Sequence, residues 1–433
     1  MSVRTGEGIK GGNVLIKNAR LSTIDNEYDI KDIYIKNGKI YMIEDKIEKS
    51  EVAKDIFKDL EAGLEATMTL DVLDLKGERY LIPGIIDPHV HMRDPGLTHK
   101  EDLASGSRAC AKGGITTFID MPNTIPTTTD LEALNNKKKI ASTKSVVNYG
   151  FHFGGTADDN SGEIPQEGIA STKVFMNIST GKMLVEKEEV LKNMFLNSKL
   201  VSVHAEGEMV EKAISYNEKY GQKLYLCHIS NEKELEIIRK YKKINEKEFY
   251  TEVTPHHLYL SEEDVKGKDE MLLRMKPELK KSSDLKALWV GINDGTIDTI
   301  GTDHAPHLLS EKLEKITFGI PGVENSLSLM LDAVSKGKIT LAKLIELMAK
   351  NPSKIFGIKD RGEIKVGNYA DLVIIDLKES FKLNNEDTVS KCGWTPFDGY
   401  RGKGKIETTI VNGKIVFNGN EIIENIGSEI EYE

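Results

Sequence analysis

Tyr80-Leu-Ile-Pro-Gly-Ile-Ile-Asp87-Pro-His89-Val-His91-Met-Arg93-Asp-Pro-Gly96 joins an apolar run to a run of reactive side chains. The apolar part reads as a buried strand over Leu81–Asp87. Along an extended chain, residues two apart point to the same side. His89 and His91 can therefore present two imidazoles together at the strand's end, which suits a divalent transition metal. Arg93 continues that phase and sets a planar donor fork beside them, as a site that grips a carboxylate requires. Alone, His-x-His fits an ordinary core or surface pair equally well, so its weight depends on the rest of the chain.

Working outward, seven more apolar segments follow: Ile115–Met121, Val146–Gly154, Thr172–Met176, Leu200–His204, Lys223–His228, Glu248–Thr254 and Thr296–Gly301. Amphipathic stretches such as Glu206–Tyr220 and Glu232–Tyr241 separate several of them. Eight alternating strand and helix units imply a parallel (β/α)8, TIM-like barrel, whose reactive residues sit at the C-terminal strand ends. The reactive residues do fall there. The first segment leads to His89 and His91, the fourth holds Lys173, the fifth ends in His204, the sixth in His228, and the eighth leads to Asp303. Any one histidine has a bland reading as a satisfied core residue. Four at matching strand ends, joined by a carboxylate, make a metal centre.

The chain's ends differ from its middle. Asn13-Val-Leu-Ile-Lys and Asp32-Ile-Tyr-Ile-Lys are strand-like, with Lys36-Asn-Gly-Lys as a hairpin turn. Asp371-Leu-Val-Ile-Ile-Asp and a second hairpin around Asn412-Gly413 repeat the style. Neither set is large enough to fold alone, so both are expected in one small β-sandwich domain. The expected division is 1–79 and 359–433 for that domain and 80–358 for the barrel. The charged, helix-compatible insert near 45–69 has no readable role.

Bulk properties narrow the class. The 433 residues are 39% hydrophobic and 30% charged, as in a soluble globular protein. A net charge of -10 argues against nucleic acid or an acidic membrane as the main partner. No run of about 18 apolar residues predicts a membrane span, and the N-terminus lacks a signal-peptide core. Cys110, Cys227 and Cys392 are too scattered for a disulfide framework, so a cytoplasmic setting is expected.

Lys173 is the odd member, because an ammonium among metal ligands would be repelled. A buried lysine can lose its proton, and the neutral amine can add carbon dioxide to become an anionic carbamate. The alternatives are a side chain reaching to the rim or pairing with Asp303.

With these residues in view, the chain resembles the amidohydrolase superfamily, and most closely its dihydroorotases with a carboxylated lysine. The likeness is carried by Asp87-Pro-His-Val-His-Met-Arg-Asp-Pro-Gly, Gly113-Gly-Ile-Thr-Thr-Phe-Ile-Asp-Met-Pro-Asn, Thr302-Asp-His-Ala-Pro-His and Asn351-Pro-Ser-Lys-Ile-Phe-Gly. Gly367-Asn-Tyr-Ala-Asp-Leu-Val and Thr395-Pro-Phe-Asp-Gly also match. The resemblance implies two zinc ions per subunit, one on His89, His91 and Asp303, the other on His204 and His228. The carbamate of Lys173 and a hydroxide would bridge them. It further implies that Arg93, Asn123 and His307 grip the substrate's carboxylate and that Asp303 is the general acid and base. Ser179 or Thr180, in a loop after Lys173, would supply a hydroxyl. The implied reaction interconverts N-carbamoyl-L-aspartate and L-dihydroorotate in de novo pyrimidine biosynthesis. The sequence leaves open a homo-oligomer and, because some relatives dock there, association with aspartate transcarbamoylase.

There are departures. Met275-Lys-Pro-Glu-Leu replaces the family's usual run, leaving Lys276 as a ring contact or a rim charge. His99, His152 and His304 read as structural. His256 and His257 either support the ligands from behind or fill space. Cobalt or manganese would suit the same ligands as zinc. Allantoinase or dihydropyrimidinase activity is the competing reading, but a neutral ring does not need Arg93, Asn123 and His307. A metal-free scaffold would not keep every ligand.

Overall fold

The computed structural model describes residues 2–5, 12–23, 27–62, 69–178, 183–244, 248–265, 269–425 and 427–433. Its centre is a ring of eight parallel strands. They are Ile85–Val90, Ile115–Asp120, Asn148–Phe151 continued by Phe153–Gly154, Thr172–Phe175, Leu200–His204, Lys223–Leu226, Phe249–Val253 and Thr299–Ile300. Neighbours pair in chain order. The ring closes where Val90 bridges His304 in parallel, and His91 N–H donates to His304 O at 2.7 Å. This is the expected (β/α)8 barrel. Seven of the eight segments lie within a few residues of the sequence-based bounds.

The first segment does not. Leu81–Asp87 is two strands in two sheets, divided at Gly84. Tyr80–Pro83 runs antiparallel to Leu372–Ile375 in the sheet built from the chain ends, and Ile85 then begins the barrel. Gly84 marks the crossing because a Cβ there would lie 2.1 Å from Thr116 Oγ1. Hydropathy does not reveal the break, since Leu81, Ile82, Ile85 and Ile86 are all buried.

That end-built sheet has nine strands. Asn13–Ser22 pairs with Tyr28–Lys36, Thr69–Asp74 and Tyr80, while Leu372–Lys382, Arg401–Val411 and Lys414–Phe417 complete the path. Both expected hairpin turns form: Asn37 and Gly38, and Asn412 and Gly413, all have positive φ. The insert contains a helix, Lys49–Glu61, whose Val52 and Ile56 pack on Leu15, Tyr34, Leu70 and Val72. It covers one face of the sheet, while Val14, Ile16, Ile33 and Ile374 form a core on the other. The C-terminal segment closes the end of the barrel opposite the reactive strand ends: Ile430 N–H bonds Tyr149 O at 2.9 Å, and Tyr432 is packed with Phe356. Among the described residues, no helix is long and apolar enough to cross a membrane.

Candidate active site

Six side chains from five strand ends converge as the sequence implies. His89 Nε2 and His91 Nε2 lie 3.3 and 2.9 Å from the same oxygen of Asp303. His204 Nδ1 is 2.8 Å from His228 Nε2. Lys173 Nζ is wholly buried beside them, 2.9 Å from Cys227 Sγ and 5.1 Å from the Phe175 ring centre. These residues line one recess, together with Phe175, Lys276, Ala305, Phe318 and Gly319. Arg93, His228 and Asp303 have φ of 62°, 39° and 48°. Left-handed backbone at three bulky positions costs about 1–3 kcal/mol each. The strand ends bend sharply there, and this aims the side chains into the mouth.

The charges are arranged to hold cations. Burial disfavours charge on Asp303, but the adjoining His89 and His91 outweigh it and hold the carboxyl well below its usual range. Burial also opposes charge on His89, yet Glu252 and Asp303 lift that imidazole well above its ordinary value. Burial keeps His228 and His204 neutral, as ligands must be.

A divalent metal fits this donor set. Ligand atoms of His89, His91 and Asp303 all lie within 4.8 Å of one another. The buried His228 Nδ1 lacks a hydrogen-bond partner among the described residues, an expensive condition unless something else coordinates it, while His204 Nε2 faces Glu206 at 3.3 Å. Lys173 neither reaches the rim nor pairs with Asp303, so both alternatives raised for it fail. It is a buried amine with no carboxylate within ion-pair distance among the described residues.

The three residues expected to grip a carboxylate stand next to this centre. Asn123 Oδ1 accepts from His91 Nδ1 at 2.6 Å, so it also orients that ligand and leaves its amide nitrogen free to donate. Arg93 is 4% exposed, donates from Nε to Pro306 O at 3.2 Å, and places Nη2 3.3 Å from His307 Nε2. No carboxylate among the described residues lies within ion-pair distance of it. Burial is the main cause that lowers its pKa to about 10. Lys276 sits at the rim, bonded to Glu278 and 5.3 Å from the Phe318 ring centre. Ser179 and Thr180 lie outside the described residues.

The remaining histidines divide clearly. His152 bonds Pro88 O and Ser171 Oγ, and His304 accepts from Gly322 N–H, so both are structural. His99 is exposed beside Glu311. His257 is tied to Thr254 and Pro277, with His256 against it, and neither is within hydrogen-bond distance of a centre residue.

Sequence reasoning missed Glu252. It is fully buried at the seventh strand, where Oε1 accepts from His89 Nδ1 at 2.8 Å and from His228 N–H at 2.9 Å. Its other oxygen accepts from Tyr225 Oη–H at 2.8 Å. One carboxylate thus steers a ligand from each half of the centre. The available signal was a single acid inside the strand Phe249–Val253, at a position facing the barrel interior.

This barrel and its ring of strand-end ligands define a hydrolase class, and the comparisons agree. Residues 80–416 match the Amidohydrolase family, and the chain belongs to that family. Within it, the chain is similar to curated dihydroorotases. That of Methanosphaera stadtmanae is 35% identical, covering 95% of this chain and 97% of its own length. That of Methanosarcina mazei is 36% identical, over 85% and 90%. Among solved structures, the L-hydantoinase (dihydropyrimidinase) from Arthrobacter aurescens superposes with a TM-score of 0.85 at 27% identity, covering 97% of this chain and all of that one. The chain is a hydrolytic enzyme of that family.

Proposed function

We propose that the chain is a dihydroorotase, catalysing the reversible closure of N-carbamoyl-L-aspartate to L-dihydroorotate and water in pyrimidine biosynthesis. The observation that carries this reading is Arg93: a buried guanidinium beside the metal-type cluster with no carboxylate within ion-pair distance among the described residues. A buried charge of that kind is costly until an anion meets it, and the substrate's carboxylate is that anion. The relatives named dihydroorotase support the same choice.

His89, His91 and Asp303 would hold one divalent cation and His204 and His228 a second, with Lys173 as a carbamate shared by both. Zinc matches imidazole and carboxylate donors. When bound, the metals would polarise the ring amide and supply the attacking oxygen. Asp303 moves the proton: in ring opening it takes it from the attacking water and delivers it to the leaving nitrogen. In closure it removes the ureido proton. Arg93, His307 and the Asn123 amide hold the carboxylate, which fixes the ring against the centre. Phe175 and Phe318 wall the recess against bulk water. The buried, unpaired cysteines fit a cytoplasmic enzyme.

The structural likeness to a hydantoinase favours a second reading, opening of a neutral cyclic amide. A purified, zinc-loaded preparation decides between them. Conversion of dihydroorotate in both directions, abolished by a chelator and restored by zinc, is expected. Activity confined to hydantoin or dihydrouracil would overturn the proposal.

A further inference from the structure

His307 has two nitrogens and, when neutral, one proton to place. Burial and the nearby Arg93 push its pKa down to about 2, so it is neutral. Lys100, half-buried in the loop after the first barrel strand, has Nζ 3.1 Å from His307 Nδ1. Burial lowers the pKa of Lys100, while Glu311, 3.7 Å from Lys100 Nζ, opposes that shift and favours the ammonium form. An ammonium only donates, so Nδ1 must accept, and the proton is left on Nε2. Consistent with this, Nε2 is 3.0 Å from the Phe318 carbonyl oxygen.

The consequence falls on Arg93. Its Nη2 is 3.3 Å from Nε2, and a guanidinium also only donates. With the proton on Nε2 the two groups cannot bond each other. Nε2–H then has the Phe318 carbonyl oxygen as its acceptor, and Arg93 Nη2 is left without an acceptor on His307, free to meet an anion's oxygen. With the proton on Nδ1, which Glu311 at 3.8 Å would welcome, Nε2 would accept from Arg93. The pair would then satisfy itself and close the anion site.

We propose that Lys100 is a positioning residue for substrate recognition: it helps to set the proton of His307 on Nε2, so that His307 does not accept from Arg93 and the guanidinium stays free for the substrate's carboxylate. This rests on the dihydroorotase reading for its kinetic consequence, but not for the tautomer itself.

The test compares the zinc-loaded wild type, Lys100→Met and Lys100→Arg. Nitrogen-15 histidine spectra should assign His307, by its loss in His307→Asn, to the Nε2-protonated tautomer in the wild type. That signal should move toward the Nδ1-protonated form in Lys100→Met. Losing one charge-assisted donor contact should raise KM for both substrates by about tenfold or more in Lys100→Met. The value of kcat should stay within about threefold, with metal content unchanged. Lys100→Arg keeps a donor and should recover most of the loss. An Nδ1-protonated His307 in the wild type would overturn the inference without any variant. So would an unchanged KM in Lys100→Met, or equal losses in Met and Arg. A wild type inactive on dihydroorotate would refute the function, while the spectra would still decide the role of Lys100.

Discussion

In the proposed function, Asp303 carries two duties on one carboxylate. It approaches His89 and His91 as a ligand would, and its low pKa keeps it ionised and able to accept a proton. Asp303→Asn keeps the shape and an oxygen donor but loses the base. Turnover should fall on the order of a thousandfold while most metal remains bound, measured by steady-state rates and metal analysis of the same sample. Appreciable remaining activity would remove the acid–base role. Glu252 acts at one remove, through His89 Nδ1 and the His228 backbone. Glu252→Gln should lower zinc affinity by about ten- to a hundredfold, read by competition with a chromophoric chelator. An unchanged affinity would make Glu252 a packing residue. Loss of one whole ion, with the others held as before, would make it a ligand alongside His89 and Cys227, which lie within reach of it.

At the scale of elements, legibility followed local pattern. The candidate ligands could be read because each lies in or just after an apolar strand-like run, most of them where a strand ends, and position along a strand is a local property. Glu252 has the same local signature, but its meaning depends on His89, which only the closed barrel brings to it. The split at Gly84 was hidden for a related reason. Leu81–Asp87 is apolar throughout, and the strand that claims its first half, Leu372–Ile375, is far away in the chain. The helix Lys49–Glu61 was likewise visible as helix-compatible, but not as the cover of a sheet. Its role is testable. Ile56→Ala removes a fully buried contact with that sheet and should cost about 2–4 kcal/mol in denaturant unfolding, with kcat intact because the site lies in the barrel. A cost near zero would mean that the helix is loosely held.

For the whole molecule, barrel and end-built sheet share apolar surface: Ile82, Val373, Ile375, Ile406 and Val411 belong to the same core as the barrel strands. Gly404 shows how closely they meet, since a Cβ there would lie 2.4 Å from Leu331 Cβ. The expected division at 80–358 puts Tyr80–Pro83 in the barrel, whereas that strand pairs with Leu372–Ile375 in the end-built sheet and the barrel begins at Ile85. An isolated 80–358 fragment should lack cooperative unfolding and bind a hydrophobic dye. A fragment that melts sharply would show two self-sufficient domains.

The central claim is that a metal-type centre with a carboxylate grip distinguishes this enzyme from neutral-ring relatives. The most direct test is the ratio of kcat/KM for L-dihydroorotate to that for dihydrouracil, in the zinc-loaded wild type and in Arg93→Ala at equal metal content. A strong preference for dihydroorotate is expected, falling by about ten- to a hundredfold or more when Arg93 is removed. A wild type that prefers dihydrouracil, or a ratio unmoved by Arg93→Ala, would contradict the central claim.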